Sequence, residues 1–364
     1  MIPNRILHIT GKMDRAGAET MLMNLYRHMD HSLIQFDFMT FTAEEGDYDN
    51  EIIELGGKII PILASNPIER MIKIQNFLKK NPNYKIVHSH TLLSNALHLL
   101  AAKGAGIKNR ISHSHNTSDG KLSIIKKSYE IWALMVIHKI STHKIACGEL
   151  AAKYLFGSSK GVYLLPNGVD LEKMMAVARE SQNYFDKIFN DKGLKIVQIG
   201  RLNEVKNHQF SLKIAESLKN LELDFTIYFI GQGPLENSLK QQVRDMDLER
   251  NIKFLGVRED ITELMASANF MIMPSLYEGF PVVLVESQAV GLRSIVSNKV
   301  SKEVDLGLGL VEFLSINSVE AWICQLSKLQ TSKPKEQEIM KSLKHYGFDA
   351  ATNSQKLSQF YKSL

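Results

Sequence analysis

The sequence predicts an α/β protein built from two successive parallel-sheet domains, and three observations lead to this prediction. Short apolar runs of strand length alternate with segments of helix length, which is the pattern of repeated βαβ units. The alternation pauses after residues 166–170 and restarts with a strand at residues 196–199. The chain of 364 residues is also too long for one ordinary core, and it suits two domains of about 150–180 residues each.

Each predicted strand is a short apolar run, and each predicted helix has apolar residues at helical spacing. Residues 67–80 and 92–103 are amphipathic in this way, and apolar residues at the same spacing predict a last helix near the carboxyl terminus. We expect a first domain over residues 1–166 and a second over residues 167–344. The predicted strands are residues 5–10, 36–41, 58–62, 86–88, 110–112, 144–146 and 162–165, then 196–199, 225–230, 252–255, 270–273, 294–296 and 310–313.

The composition is that of an ordinary globular protein, with 44% hydrophobic and 23% charged residues. Cys147 and Cys324 are the only cysteines, and they have no metal-type spacing, which fits a reducing compartment. The first residues show no signal-peptide pattern, and no apolar run approaches the ~20 residues of a membrane span. The net charge of +5 is too small to indicate nucleic acid. We therefore expect a cytoplasmic protein without a nucleic-acid partner.

A glycine-containing turn, GKMDRAGAET, follows the first predicted strand and leads into a helix that begins near Ala18. A strand, a turn with Gly11 and Gly17, and a helix N-terminus together can bind an anion or let a ligand approach the backbone. The G-x-G-x-x-G fingerprint of dinucleotide binding is absent. A tight structural turn is an equally good interpretation.

The loop GRLNEVKN, residues 200–207, follows the first strand of the second domain and carries two cations. Arg201 can grip phosphate oxygens with two hydrogen bonds, while Lys206 supplies a point charge. A solvated basic loop is the alternative interpretation of the same residues.

The stretch PSLYEGFPVVLVESQAVG, residues 274–291, carries two acids eight residues apart. Glu278 lies in a turn, and Glu286 lies about a turn and a half into a helix that begins near Pro281. The turn is beyond the carboxyl end of a strand, where open α/β sheets bind ligands, and the helix N-terminus favours an anion. A carboxylate there suits the paired hydroxyls of a ribose, although two acids at this spacing are common in proteins.

Two His-x-His pairs, His88 with His90 and His113 with His115, end predicted strands of the first domain. Alternate residues of a strand share a face, so each pair can point towards one side of the sheet. Such a pair is also a zinc-binding pattern, but no third and fourth ligand follows at the expected local spacing. The sequence therefore predicts no metal site here.

These motifs together resemble the retaining glycosyltransferases of family 4, most closely the bacterial exopolysaccharide and capsule branch. The resemblance rests on Glu278-Gly279-Phe280-Pro281 with Glu286, on Gly200-Arg201 with Lys206, and on the Gly231-Gln232-Gly233-Pro234 turn. In the first domain, Ala16 replaces the first glycine of the family's G-G-x-E turn, which Gly17 and Glu19 match. Family membership implies the GT-B fold, with two Rossmann-like domains facing across a cleft and a last helix, about residues 345–364, returning to the first domain.

The resemblance also implies roles for individual residues. Arg201 and Lys206 would hold the donor diphosphate and stabilise the leaving charge, with Gly200, Gly231, Gly233, Gly279 and Phe280 around the donor. Glu286 would bind the ribose, and Glu278 would lie near the donor sugar and phosphates. The turn at Gly17 and Glu19 and a histidine, His115 in preference to His113, would face the reaction centre on the acceptor side.

The implied reaction moves a sugar from a nucleotide-linked donor, expected to be a UDP-sugar, to a hydroxyl of a glycan or polyprenyl-linked acceptor, with retention at the anomeric carbon. No cofactor or metal is expected. Two Asp-x-Asp triplets, residues 47–49 and 245–247, resemble the metal site of another transferase architecture, but they lie in a polar turn and a helical pattern. The alternatives are a GT-B sugar-nucleotide epimerase and a non-catalytic nucleotide-sugar-binding partner of another transferase.

Residues 103–160 contain ten Lys or Arg against three acids, and within them residues 122–140 are mainly apolar. One interpretation is a core helix with a solvated face. The other is an interfacial helix that docks residues 121–144 on anionic lipid, which would bring the protein close to a lipid-linked acceptor.

Overall fold

The computed structural model of the protein describes residues 3–115, 124–328 and 333–364, apart from the side chains of residues 124–126. Its contacts divide the chain into two compact units. The first unit comprises Met1–Gly168 together with Gly347–Leu364, and the second comprises Val169–Tyr346. The first unit is therefore discontinuous in sequence.

The first unit contains a seven-stranded parallel sheet in the order β3-β2-β1-β4-β5-β6-β7. The strand order reverses between β1 and β4, because β2 lies on one side of β1 and β4 on the other. The strands are β1 Asn4–Ile9, β2 Ile34–Thr40, β3 Lys58–Pro61, β4 Ile86–Ser89, β5 Asn109–Ser114, β6 His143–Ala146 and β7 Tyr163–Leu164. The helices before residue 168 are α1 Gly17–Arg27, α2 Asp49–Glu54, α3 Pro67–Lys80, α4 Asn95–Gly104, α5 Ile124–Ile140 and α6 Glu149–Phe156.

Both faces of this sheet are buried, which explains why its strands supply apolar side chains to both sides. Ile6 of β1 packs in a core cluster with Phe36 and Ile86. The next residue, Leu7, packs in a separate cluster with Val87 on the opposite face. Successive strand residues point to opposite faces, so each strand has to supply apolar side chains to both layers.

The second unit contains a six-stranded parallel sheet in the order β10-β9-β8-β11-β12-β13, and its strand order reverses at β8. The strands are β8 Leu194–Ile199, β9 Phe225–Ile230, β10 Ile252–Gly256, β11 Phe270–Met273, β12 Ser294–Ser297 and β13 Val311–Leu314. The helices are α7 Leu171–Glu180, α8 Tyr184–Phe189, α9 His208–Asn220, α10 Glu236–Asp245, α11 Ile261–Ser267, α12 Val282–Ala289, α13 Val319–Leu326 and α14 Glu336–His345.

The last helix, α15 (Ala350–Lys362), packs in the first unit. Its N-cap is Asp349, whose carboxylate accepts a hydrogen bond from the Thr352 amide at 3.1 Å. Leu357 and Tyr361 are buried in the core cluster that contains β1, and the Ser354 hydroxyl donates to the Leu25 carbonyl of α1 at 2.9 Å. The first core is therefore completed by residues from the far end of the chain.

The predicted α/β fold class is confirmed, and every predicted strand corresponds to an observed one with shifts only at the ends. The predicted docking segment, residues 121–144, is described only in part, because residues 121–123 and the side chains of residues 124–126 lie outside the described residues. Among the described helices, none has the length and apolar character needed to cross a bilayer.

Candidate active site

The candidate donor site of the second unit lies at the carboxyl ends of β8, β9 and β11. The strand order reverses at β8, and open α/β sheets bind ligands in the crevice beyond the carboxyl ends of the strands at such a point. The predicted cations Arg201 and Lys206 follow β8, and the predicted acid Glu278 follows β11. The structure therefore brings these two motifs, about seventy residues apart in sequence, to the same edge of one sheet.

The loops after β8 and β9 touch through their backbones, and glycine is required at the contact. The Gly200 amide donates to the Ile230 carbonyl at 2.9 Å. A Cβ atom added to Gly231 would lie 2.2 Å from the Gly200 carbonyl oxygen, and one added to Gly233 would lie 2.4 Å from the Leu202 carbonyl oxygen. The two glycines thus have a structural role in loop packing, while their predicted role in nucleotide approach stays a prediction.

Lys206 forms an ion pair with Glu278, with 2.7 Å between Nζ and Oε1. Both side chains are mostly buried, with exposed fractions of 19% and 16%. Asn203 holds the lysine from its own loop, because its side chain accepts a hydrogen bond from the Lys206 amide at 3.2 Å. The lysine ammonium is therefore held at the β8–β11 crevice by a carboxylate from the opposite loop.

Two further hydrogen bonds fasten the loop after β8 to the loop after β11. The Asn207 side chain donates to the Pro274 carbonyl at 3.0 Å, and the Leu276 amide donates to the Val205 carbonyl at 2.8 Å. These bonds fix the separation of the two loops independently of the ion pair.

Arg201 is the exposed cation of this site, in contrast to Lys206. No described residue forms an ion pair or hydrogen bond with its guanidinium group. Gly279 and Phe280 are half-buried in the turn between Glu278 and α12. An anion that enters the crevice would therefore meet one exposed cation and one cation that is already paired.

Glu286 lies in α12, which begins at Val282 directly after Pro281, as the sequence indicates. The residue is half-buried, and burial of its carboxyl group raises its pKa from 4.5 to about 7. This acid therefore changes its charge in the physiological pH range, which the sequence alone did not indicate. The cause of the raised pKa is burial of the carboxyl group, which disfavours its charged form. The eight-residue spacing between Glu278 and Glu286 plays no part in it.

The turn after β1 places Gly17 at the first position of α1 and Glu19 in its first turn. Gly17 is exposed, and a Cβ atom added there would meet nothing within 4 Å, so packing does not require glycine at this position. Burial raises the pKa of the Glu19 carboxyl. The predicted acceptor-side role of this turn stays a prediction.

His113 is buried in β5, and His115 follows directly after the strand. The structure places both residues next to His88 and His90 and adds His8 of β1, which pairs in register with His88. His8 was missed because it lies in an apolar strand sequence, RILHIT, far from the two histidine pairs. Its position opposite His88 depends on β1 and β4 being neighbours.

Comparison with known proteins identifies the family. Residues 15–173 match the family model described as Glycosyltransferase Family 4, and residues 180–306 match that described as Glycosyl transferases group 1. The chain is 40% identical to the glycosyltransferase EpsF of Bacillus subtilis over 98% of its own length and 96% of that protein. This chain belongs to glycosyltransferase family 4.

Two other relatives and one solved structure agree with this assignment to family 4. The chain is 30% identical to an α-1,3-galactosyltransferase of Escherichia coli, with 72% of each chain covered, and 24% identical to the capsular polysaccharide biosynthesis glycosyltransferase CapH of Staphylococcus aureus, with 99% of each covered. The crystal structure of HepE from Anabaena in complex with UDP-glucose gives a TM-score of 0.80 at 16% identity, covering 99% of this chain and all of that one. The family 4 chain has the GT-B fold, and its activity is that of a glycosyltransferase.

The raised pKa of Glu286 predicts a pH-dependent cost to the stability of this family 4 enzyme. The folded state holds the Glu286 proton up to about pH 7, whereas the unfolded chain releases it near 4.5, so this group lowers the free energy of unfolding as the pH rises between these values. Glu286→Gln removes this cost, and we expect the variant to be more stable than wild type at pH 8 by on the order of 3 kcal/mol at most, but not at pH 4.5.

Denaturant unfolding followed from pH 4.5 to pH 8.5 measures this difference. Glu249→Gln, which changes an exposed acid of the same unit, is the matched control and is expected to leave the profile unchanged. A stability difference between wild type and Glu286→Gln that is the same at all pH values would show that the group titrates normally.

Proposed function

We propose that this glycosyltransferase transfers a sugar from a UDP-linked donor to a hydroxyl of a glycan or polyprenyl-linked acceptor during synthesis of a bacterial exopolysaccharide or capsule, with retention at the anomeric carbon. The name of the Escherichia coli relative gives UDP-Gal as donor and a diphosphoundecaprenol-linked GlcNAc as acceptor. HepE was crystallised with UDP-glucose, and CapH is named for capsular polysaccharide biosynthesis. The first unit would bind the acceptor and the second unit the donor.

The observation that carries the donor assignment is the paired Lys206 beside the exposed Arg201 at the β8–β11 crevice. In the proposed reaction the bond from the anomeric carbon to the diphosphate breaks, and its electron pair stays on UDP. The acceptor oxygen forms the new bond to the anomeric carbon, and its proton passes to the departing diphosphate. Arg201 and Lys206 stabilise the charge that builds up on the departing diphosphate, which is the electrostatic role that lowers such barriers.

Lys206 would exchange partners when the donor binds. In the free protein its ammonium is neutralised by Glu278 at 2.7 Å, so the buried cation is not left unpaired. A diphosphate is a stronger anion than one carboxylate, and Nζ carries three donors, so the lysine can bind a phosphate oxygen while Glu278 remains nearby. Glu278 would then face the donor sugar, and Glu286 would accept hydrogen bonds from the ribose hydroxyls.

Substitutions at the donor site are expected to change UDP affinity and turnover more than they change the free energy of unfolding. Above pH 7, where the Glu286 carboxyl is ionised, Glu286→Ala should weaken UDP binding by about 1.5–3 kcal/mol, or roughly 10- to 150-fold in Kd, because a hydrogen bond to a charged group is lost. Arg201→Ala and Lys206→Ala should lower turnover more than they lower the free energy of unfolding. Calorimetry with UDP and initial-rate assays with a UDP-sugar panel measure these effects, with Lys213→Ala, an exposed lysine on α9, as the control.

Unchanged UDP affinity in a folded Glu286→Ala variant would refute the ribose role, and wild-type rates in both cation variants would refute the diphosphate role. The same panel separates the three functional classes. A transferase releases UDP and glycosylates the acceptor, an epimerase converts the sugar while UDP stays attached, and a non-catalytic partner does neither.

We further propose that transfer needs no divalent ion on the diphosphate, since two cations are already available at the crevice. The two Asp-x-Asp triplets have local partners in the structure: Asp47 accepts from the Arg15 amide at 2.9 Å, and Asp247 pairs with Lys219 at 2.8 Å. Neither triplet belongs to the loops after β8, β9 or β11.

Excess EDTA is therefore expected to change the initial rate by less than about twofold, because the positive charge comes from side chains. The rate is measured with saturating donor before and after addition of the chelator. Loss of activity that magnesium or manganese restores, and that Asp47→Ala or Asp49→Ala abolishes, would overturn this assignment.

We also propose that α5 docks on an anionic membrane surface, where a polyprenyl-linked acceptor would lie. Four large apolar side chains of this helix are exposed, by fractions of 36–61%, and they lie close to the exposed cations Lys127 and Lys139. The exposed apolar residues are Tyr129, Ile131, Trp132 and Met135. Apolar side chains flanked by lysines are typical of helices that lie in the membrane interface.

Binding to vesicles that contain phosphatidylglycerol is expected to fall with added salt, since the attraction of exposed charges is screened. Trp132→Asp with Met135→Asp should weaken this binding roughly tenfold or more. Ile72→Asp, at a comparably exposed apolar residue of α3, is the matched control. Sedimentation with vesicles measures the binding, and equal binding to neutral and anionic vesicles, or none to either, would contradict the proposal.

A further inference from the structure

Five histidines from three neighbouring strands form a single cluster in the first unit, at the carboxyl ends of β1, β4 and β5. The ring centroids of neighbouring members are 4.0–5.2 Å apart. Three members are fully buried, and the other two are half-buried. We call this group the histidine cluster, and its members are His8, His88, His90, His113 and His115.

The hydrogen bonds within the histidine cluster leave many ring nitrogens without a partner. His90 is bonded on both sides, with Nε2 2.9 Å from Nδ1 of His8 and Nδ1 2.9 Å from Nε2 of His115. Neither ring nitrogen of His113 has a hydrogen-bond partner among the described residues, and Nδ1 of His115 has none either. Buried polar atoms without partners are uncommon in folded proteins and indicate a missing water or ion.

The chemistry of the histidine cluster favours a cation that binds to neutral imidazole. A neutral imidazole has one nitrogen with a free lone pair, and His113 and His115 have ring nitrogens without a hydrogen-bond partner among the described residues. Among the described residues, the groups that come together here are imidazole nitrogens, which suit zinc, cobalt, nickel or copper better than calcium or magnesium.

Two sets of three nitrogens lie close enough to share an ion, and His90 belongs to both. His90, His113 and His115 offer one nitrogen each within 4.8 Å of one another, as do His8, His88 and His90. In the second set His88 is already held, since its Nδ1 lies 2.6 Å from the Tyr361 hydroxyl. In the first set His113 has no competing partner among the described residues, and His90 and His115 are half-buried, which gives an ion access.

Nδ1 of His90 and Nε2 of His115 lie 2.9 Å apart. Two imidazole nitrogens on one tetrahedral zinc, with bonds of ~2.0–2.1 Å, are roughly 3.3 Å apart. An ion bound by both nitrogens would displace the shared proton, and both rings would turn so that their lone pairs converge on the ion. His8 would orient a ligand without binding the ion itself. Its hydrogen bond to Nε2 of His90 positions the His90 ring, so that Nδ1 of His90 faces His115.

We propose that His90, His113 and His115 bind one first-row transition-metal dication, Zn²⁺ in the cell, with His8 as the outer partner of His90. The ion would join the carboxyl ends of β4 and β5 and leave its fourth position open. All three ligands lie in the first unit, and the proposed function does not require an ion there, so the proposal goes beyond the proposed function. The initial rate in EDTA tests whether the donor diphosphate needs a metal. Direct measurement of Co²⁺ and Zn²⁺ binding tests the histidine site.

The test uses the full chain purified without a histidine tag, stripped with a chelator and dialysed into metal-free buffer. Titration with Co²⁺ is expected to give a visible absorption band that saturates at one equivalent, and Zn²⁺ is expected to displace it. Zn²⁺ at 100 times its Kd should raise the thermal unfolding midpoint of the metal-free protein by on the order of 5 °C. No saturable binding of either ion would overturn the proposal, and the histidine cluster would then be held by hydrogen bonds alone.

Variants identify the ligands. His113→Gln and His115→Gln should each weaken Zn²⁺ binding at least tenfold, and His115 is half-buried, so its variant is expected to fold even if the other does not. His88→Gln should keep the binding, whereas its loss there with retention in His115→Gln would place the ion on His8, His88 and His90 and overturn the assignment. His143→Gln, at a half-buried histidine of β6 outside the cluster, controls for adventitious binding. Equal Zn²⁺ affinity in all four variants would also overturn the proposal.

Discussion

The donor-side loops of the second unit depend on a contact that contains no side chains. Gly231 lies against the carbonyl of Gly200, where any Cβ atom would overlap the oxygen at 2.2 Å. Gly200 itself has a φ of 145°, and a Cβ there would lie 2.8 Å from Cε of Lys206, so the lysine stem passes directly over this glycine. The position of the Lys206 ammonium beside Glu278 therefore follows from the backbone packing of two loops.

The same geometric rule places the candidate groups of both units. Each sheet reverses its strand order at its first strand, and open α/β sheets bind ligands at the carboxyl edge there. In the second unit this edge carries Arg201, Lys206 and Glu278, and in the first unit it carries the histidine cluster and the turn before α1. Inside each sheet the backbone N–H and C=O groups bond to neighbouring strands. The polar side chains of the candidate sites lie at the carboxyl ends of the strands or in the loops that follow.

The sequence predicts those features that depend on local pattern and misses those that depend on strand order. The strands could be predicted because burial on both faces makes them rich in apolar residues. Pro281 correctly indicates the start of α12. The Lys206–Glu278 pair required β8 and β11 to be neighbours, and His8 joined the histidine cluster only because β1 pairs with β4. The raised pKa of Glu286 depends on the packing around α12, which has no sequence signal.

The return of α15 to the first unit has a consequence for the order in which the protein folds during synthesis. Leu357 and Tyr361 belong to the core that also holds β1, so this core stays open until α15 has left the ribosome. The second unit, Val169–Tyr346, is complete in sequence before then and can fold first. A chain released before α15 would have an open first core and a Leu25 carbonyl without its Ser354 partner, so incomplete chains would be distinguishable from finished ones by exposed apolar surface.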